Sequence, residues 1–330
     1  MVNIKSAKKV GKITNENMLE NIEQIITQFL KNSAERNAQG HAAKPLLVIL
    51  GPTASGKTGL SIKIAKKFNG EVISADSRQV YKFMDIGTAK VKTNETEGIP
   101  HYMIDEIEPD KEFTLADYVR KAKFHIEEIL KHGKLPILVG GTGLYIRAIC
   151  QNYNIPRVAP NYELRNQLEK EMRENGKEYI YKKLVELDPE AAAKIHPQNH
   201  VYVIRAIEVA MAEGRQNKSK GECEYDVLKL GIEWERERLY VRIDERAKNQ
   251  IDEGLINETK SLLGRGYTTK LPSMSSLGYP EISAYIQGEI SLDEALGMIQ
   301  QNTRNYAKRQ LTWFRSEPDV LWVPGEKISE

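Results

Sequence analysis

The sequence predicts an α/β fold, a P-loop-containing parallel sheet core with an inserted all-helical domain. Three observations predict it. From Leu46 onward, short apolar runs alternate with helix-period segments, the pattern of strands joined by crossover helices. Two of those runs, "LLVIL" and "PILV", are continuously apolar, as strands covered on both faces are. Between about Pro156 and Gly221 the strand signals vanish and helical spacing takes over.

Length and composition set the limits. A chain of 330 residues accommodates about two domains. With 40% hydrophobic and 28% charged residues, it is too rich in core-forming side chains to be disordered throughout. A net charge of +2 gives no global case for nucleic-acid binding, so any such case rests on local clusters. Cys150 and Cys223 have no partners at metal-ligand spacing, which argues against a zinc site or a disulfide framework and fits a reducing cytoplasm. No apolar stretch approaches the roughly 18 residues of a membrane span, and the N-terminus lacks a signal-peptide apolar core. A cytoplasmic protein without membrane contact is expected.

Taken in order, residues 1–44 read as an extension: four lysines and no acid in the first fifteen, then Met18, Ile22, Ile25 and Phe29 at helical spacing. A helix packed on the body, or left mobile, is expected, and its removal should leave the chemistry intact. The core is expected over 45–155 and 223–330. It opens with the strand "LLVIL" and the loop "GPTASGKT", residues 51–58, whose spacing is that of a phosphate-binding loop. There, backbone N–H groups from Gly51, Thr53, Ala54, Ser55 and Gly56 and a helix N-terminus would face an anion. Lys57 would neutralise phosphate oxygens, and Thr58 would place its hydroxyl on a bridging Mg2+. Spacing alone leaves open whether the anion is a nucleoside triphosphate or another diphosphate.

Next, "EVISAD" reads as a strand ending at Asp76, at the sheet edge where open parallel sheets bind ligands. Its carboxylate either accepts a proton or helps hold Mg2+, or it caps the next short helix. A helix is expected near 114–131, followed by the strand and glycine turn of "ILVGGTGLYIRAI". There Gly140, Gly141 and Gly143 allow close backbone approach to a ligand and Thr142 offers a hydroxyl, unless this is a plain tight turn. The insertion, 156–222, shows stripes of Leu164, Leu168 and Met172 and of Ile180, Leu184 and Leu187, and leaves through the polar linker "GRQNKSKGE". At "YDVLKLGIEW" a strand returns, and helices follow at 239–263 and 291–315.

In the first of these, Arg242 and Arg246 lie one turn apart and suit a diphosphate, although ion pairs with Asp244, Glu245 or Glu235 are the commoner fate of such arginines. In the second, "NTRNYAKRQLTWFR" interleaves Arg304, Lys308, Arg309 and Arg315 with Tyr306, Trp313 and Phe314 and contains no acid. It reads either as an RNA-contacting helix or as a core helix with a solvated basic face.

Together these motifs resemble the tRNA dimethylallyltransferase family over about residues 45–324. The resemblance lies in the ordered set "GPTASGKT", "ISADSRQVYKFMDIGTAK", "LVGGTGLY", "AAKIHP", "RAIEV", "LGYPEISAYIQGEIS" and "RNYAKRQLTWFR". It implies transfer of a prenyl group from dimethylallyl diphosphate to N6 of the adenosine 3′-adjacent to the anticodon, with the tRNA anticodon stem-loop as partner, Mg2+ as cofactor and a monomeric enzyme. By the same resemblance Asp76 corresponds to the general base and Thr142 to a residue touching both substrates. Arg246, with Lys57, corresponds to the diphosphate contacts. Asp76, Ser77, Arg78 and Gln79 correspond to the segment meeting a flipped adenosine. Arg165, Arg205, Lys308, Arg309 and Arg315 correspond to tRNA-facing positions. One departure stands out: three residues before Arg205, where the family carries Arg or Lys, this chain has Tyr202.

Two other functions compete. A prenyltransferase acting on free adenine nucleotides keeps the fold and changes the acceptor. An ATP-binding, RNA-binding hydrolase, or a small-molecule kinase, needs an apolar strand ending in Asp beside the loop, for which "HYMIDE", 101–106, is a short candidate.

Overall fold

A computed structural model describes residues 18–40, 43–152, 158, 160–213 and 223–328. The lysine-rich start and the linker at 214–222 lie outside the described residues. The chain divides into two compact units, Met1–Asn152 with Glu222–Glu330, and Tyr153–Gly221.

The first unit is built on six strands: β1 (Pro45–Leu50), β2 (Gly70–Ser74), β3 (His101–Tyr102), β4 (Leu135–Gly140), β5 (Asp226–Glu233) and β6 (Val320–Pro324). They are ordered β3-β2-β4-β1-β5-β6, and every pairing is parallel, as the alternating pattern predicts. Leu50 pairs in register with Gly140 on one side and Gly231 on the other, so β1 and β4 end level and their following loops emerge side by side.

Side chains alternate across the sheet with a period of two. Leu46, Val48 and Leu50 pack on one face with Tyr118 and Ile126 of helix α3 (Leu115–Lys131) and Ile149 of α4 (Gly143–Cys150). Leu47 and Ile49 pack on the other with Leu60 and Ile64 of α2 (Lys57–Lys67) and with Ile22 and Ile26 of α1 (Met18–Ala38). Helix α3 starts sharply because Thr114 and Asp117 form a reciprocal capping box. Helix α1 is fastened at its far end as well: Ser33 Oγ donates to Asp226 Oδ2 at 2.9 Å, and Arg36 pairs with the same carboxylate. The described part of the extension is therefore a wall of the core.

Four further helices complete this unit: α9 (Arg236–Asp252), α10 (Leu255–Gly264), α11 (Tyr279–Ile286) and α12 (Leu292–Arg315). The helix expected over 239–263 is split at Gly254, whose φ of +110° ends one helix and starts the next. Between β2 and β3, the irregular segment 84–90 is held from within. Glu258 accepts the backbone N–H groups of Asp85, Ile86 and Gly87 at 2.8–3.0 Å and the Tyr279 hydroxyl at 2.8 Å. Lys90, buried, donates to Tyr81 O, Asp85 and Asp105.

The elements of the second unit's described residues are all helices: α5 (Tyr162–Asn175), α6 (Lys177–Leu187), α7 (Pro189–Ala192) and α8 (His200–Glu213). Its own core joins Leu168, Ile180, Leu184, Val203 and Ile207. Leu187, expected on the apolar stripe, is the last residue of α6 and is exposed. Among the described residues no helix is long and apolar enough to cross a membrane.

Ile26 is fully buried against the sheet. Ile26→Ala is expected to cost about 3 kcal/mol of stability through lost contacts and a residual cavity. The check is a lowered urea midpoint with an unchanged m-value.

Candidate active site

A cleft of about 470 Å³ opens over the carboxyl ends of β1, β2 and β4, where ligands of parallel sheets bind. Its floor is the loop after β1. Ala54, at φ +61°, and Gly56, at φ +91°, turn the backbone sharply before α2 begins at Lys57. The first-turn amides of α2 have no acceptors within the helix, and Lys57, Thr58 and Gly59 all line the cleft. Ser55 Oγ is buried there without a hydrogen-bond partner, and Thr58 is exposed.

Two cations meet over this loop. The Lys57 ammonium donates to Pro52 O at 2.6 Å, and Arg246 Nη1 donates to Thr53 Oγ1 at 3.4 Å. Loss of solvation, then repulsion from Arg246, pushes the Lys57 pKa down to about 7, with the Asp76 carboxylate opposing. Burial, with Arg242 adding, lowers that of Arg246 too. Arg242 donates to Ala54 O at 2.9 Å and lies 4.4 Å over Trp234, whose indole N–H donates to Ser55 O at 3.0 Å. So Arg242 and Arg246, two of the four arginines of α9, face the loop. Of the acids named for them in sequence, Asp244 pairs with Arg304 at 2.6 Å, and among the described residues no carboxylate pairs with Arg242 or Arg246.

The opposite wall comes from the ends of β2 and β4. Asp76 Oδ1 accepts the Arg78 N–H at 2.8 Å, so the carboxylate both caps the turn after β2 and lines the cleft. Thr142 Oγ1 accepts the Ser77 N–H at 3.0 Å, tying this turn to the glycine turn after β4. Tyr306 of α12 lines the same wall; burial and then Asp76 raise the pKa of its hydroxyl, with Arg78, Arg309 and a hydrogen bond to Thr142 opposing.

The sequence reading missed the residue that joins the two walls. Gln310, buried on α12, accepts the Thr53 N–H at 2.8 Å and donates to Gly141 O at 2.9 Å. A signal was present: Ala307, Gln310 and Phe314 form the buried stripe of α12, and an amide in an apolar stripe needs partners. The glycines after β4 serve this packing. A Cβ on Gly141 would lie 2.2 Å from Gln310 Nε2, and one on Gly143 2.2 Å from Trp313 Cδ1. Their close approach is to α12, where the sequence reading expected a ligand.

The remaining expected residues have mixed settings. Arg78 donates to Pro272 O at 2.6 Å and to Ser275 Oγ at 3.3 Å, beside the cleft mouth. Gln79 is internally engaged, accepting from Ser74 Oγ at 2.9 Å and donating to Ala89 O at 3.2 Å. Lys308, Arg309 and Arg315 are exposed, and Arg309 reaches the cleft. In the second unit, Arg165 forms a bidentate pair with buried Glu208, at 3.0 and 2.9 Å, and Arg205 pairs with the same carboxylate. About a third of each of these two side chains stays exposed. Tyr202 is 60% exposed on α8.

Comparison with known proteins gives a consistent picture. The family model described as IPP transferase matches residues 79–317. A tRNA dimethylallyltransferase of Acetivibrio thermocellus is 48% identical over 289 residues, 86% of this chain and 92% of that protein. One from Bacillus cereus is 47% identical over 291 residues, 86% of this chain and 92% of the relative. Among solved structures, the full-length tRNA isopentenylpyrophosphate transferase of Bacillus halodurans aligns with a TM-score of 0.65 at 41% identity, covering 87% of this chain and 93% of that one. A eukaryotic dimethylallyltransferase acting on tRNA aligns at 0.74 with 28% identity, covering 87% and 75%.

Gln310→Met is expected to leave the Thr53 N–H unpaired and cost about 1–3 kcal/mol. Hydrogen exchange read by mass spectrometry should quicken at Thr53 ahead of the neighbouring strands.

Proposed function

This chain belongs to the IPP transferase family, and from that premise we propose that it transfers a dimethylallyl group from dimethylallyl diphosphate to tRNA, at N6 of the adenosine 3′-adjacent to the anticodon, releasing diphosphate. One observation carries the reading: a single cleft joins a cationic loop, with no paired carboxylate among the described residues, to a wall bearing Asp76 and Ser77, whose turn Thr142 holds from behind. The donor's diphosphate sits over residues 51–58, held by Lys57, Arg246 and backbone N–H groups. The adenosine, flipped out of its stack, enters past Ser77, Arg78 and Tyr306. Its N6 lone pair forms a bond to the allylic carbon as the carbon–oxygen bond breaks, and the electron pair leaves with the diphosphate. Lys57 and Arg246 stabilise that departing charge. Asp76 accepts the N6 proton, and Thr142 positions the turn that carries Asp76. Thr58 is exposed in the first turn of α2, and its hydroxyl would help hold a Mg2+ there. When bound, Mg2+ adds positive charge to the leaving group. All these groups come from one chain, which fits a monomer.

Phosphoryl transfer from ATP is the weaker reading. The strand of "HYMIDE" is the two-residue β3 at the sheet edge, separated from β1 by β2 and β4. Its Asp105 is held by Lys90 at 2.5 Å. The strand beside the loop, β4, ends in Gly140 and runs on to Gly141 and Thr142.

The direct test incubates the protein with Mg2+, dimethylallyl diphosphate and unmodified tRNA, then weighs the RNA nucleosides. The expected gain is one dimethylallyl group on the adenosine beside the anticodon; prenylation of free AMP alone would replace the acceptor. Lys57→Ala and Asp76→Ala should each lower kcat at least about 100-fold with melting temperature held. Wild-type rates in Asp76→Ala would remove the base assignment.

Because the Lys57 pKa is about 7 before binding, a bound diphosphate stabilises the ammonium and raises it. Binding above pH 7 therefore takes up a proton at Lys57, and this contribution to affinity weakens as pH rises. Calorimetry with inorganic diphosphate, in buffers of different ionisation enthalpy, should show an uptake that Lys57→Met lacks.

A further inference from the structure

At the far end of a seam that begins at the cleft lies a feature that the transfer chemistry leaves unused. Phe83 has a left-handed backbone, φ +65°, and its ring is 39% exposed. A bulky side chain in that conformation is strained, and a ring left 39% exposed recovers only part of that cost through burial. Its neighbours account for the backbone but not for the ring. Met84 is fully buried, and the Lys82 N–H donates to Ile107 O at 2.8 Å, so the chain is pinned on both sides while Phe83 points outward. Against the ring lies the Arg265 guanidinium, 4.1 Å from its centroid. Arg265 is exposed, at the end of α10, and among the described residues no carboxylate pairs with it.

The stack belongs to a seam that leads into the cleft. Residues 78–83 and 265–275 are joined where Arg78 donates to Pro272 O and Ser275 Oγ. They are joined again where Lys82 and the Tyr267 hydroxyl both donate to Glu108, each at 3.3 Å, and at the Phe83–Arg265 pair. Arg78 and Ser275, at one end of the seam, line the cleft. An exposed aromatic ring steadied by an unpaired guanidinium suits an unpaired base on a phosphate backbone, the ring stacking and the cation neutralising.

We propose that Phe83 and Arg265 form a stacking platform for an unpaired RNA nucleotide neighbouring the one that enters the cleft. This rests on the tRNA reading and extends the contact surface outward along the seam. Neither residue takes part in the transfer, so the platform acts on RNA affinity and leaves diphosphate binding alone.

The test uses the full chain, an anticodon stem-loop RNA carrying 2-aminopurine at one loop position at a time, and inorganic diphosphate as a separate probe. Phe83→Gly removes the ring and relieves the left-handed strain together. It should hold or raise the melting temperature, weaken stem-loop binding about tenfold, the scale of one lost base stack, and leave diphosphate affinity unchanged. One loop position should be quenched on binding wild-type protein and not on binding Phe83→Gly, and Phe83→Trp should retain the quenching. Arg265→Ala should weaken RNA binding and lessen its salt dependence. Unaltered RNA affinity in Phe83→Gly, with wild-type protein binding the stem-loop, overturns the platform alone. Wild-type protein that binds diphosphate but not the stem-loop overturns the platform and the tRNA acceptor together.

Discussion

Two positive charges brought together without a paired carboxylate among the described residues are the constraint around which the catalytic unit is arranged. Lys57 and Arg246 approach the same loop, and each lowers its affinity for protons by being there. Like charges in a poorly solvated space repel, and a fold that merely sought stability would set an acid between them. Asp76 comes close enough to favour the Lys57 ammonium but forms no ion pair with it, and one of its oxygens holds the turn after β2. The missing charge is an anion's, so in the proposed transfer the diphosphate relieves a repulsion already built into the cleft.

Such an arrangement persists only if the surroundings are rigid. Trp234 and Arg242 donate to the carbonyls of Ser55 and Ala54, which fixes the loop from the side of α9. Gln310 couples the loop after β1 to the turn after β4, and Thr142 couples that turn to the one carrying Asp76. Three strand ends are thereby fixed to one another through the Gln310 and Thr142 side chains. The preorganisation that electrostatic catalysis requires is supplied by these links.

Much of the fold was legible because it depends on local periodicity. The continuous apolar run of β1 marks a strand covered on both faces, and the loss of strand signals after Pro156 marks the helical unit. The loop 51–58 was legible because its spacing is tied to its backbone shape. What was hidden depends on residues far apart in sequence. Gln310 lies 257 residues from Thr53, and no pattern near either one announces the other. Arg242 and Arg246 were readable as a pair on one face, but local acids such as Asp244 were the obvious partners, and only tertiary packing turns them to the loop. Arg165 and Arg205 show the converse: basic residues expected to meet RNA are found holding Glu208, a partner that the sequence reading did not consider.

The same loop serves phosphoryl and alkyl transfer in different proteins, so the loop alone does not choose between them. The choice lies in what the neighbouring strands contribute. A phosphoryl-transfer site of this type needs a carboxylate near the loop to hold Mg2+ against the transferred group. Here β4, the neighbour of β1, ends in glycine, and its turn is filled by Gln310 and Thr142. The carboxylate instead stands one strand further out, at the end of β2, across the cleft from the cationic loop. In the proposed transfer, charge stabilisation and proton acceptance are thus separated onto two walls. That division suits a reaction in which the anion departs from one side of a carbon while a nucleophile loses its proton on the other.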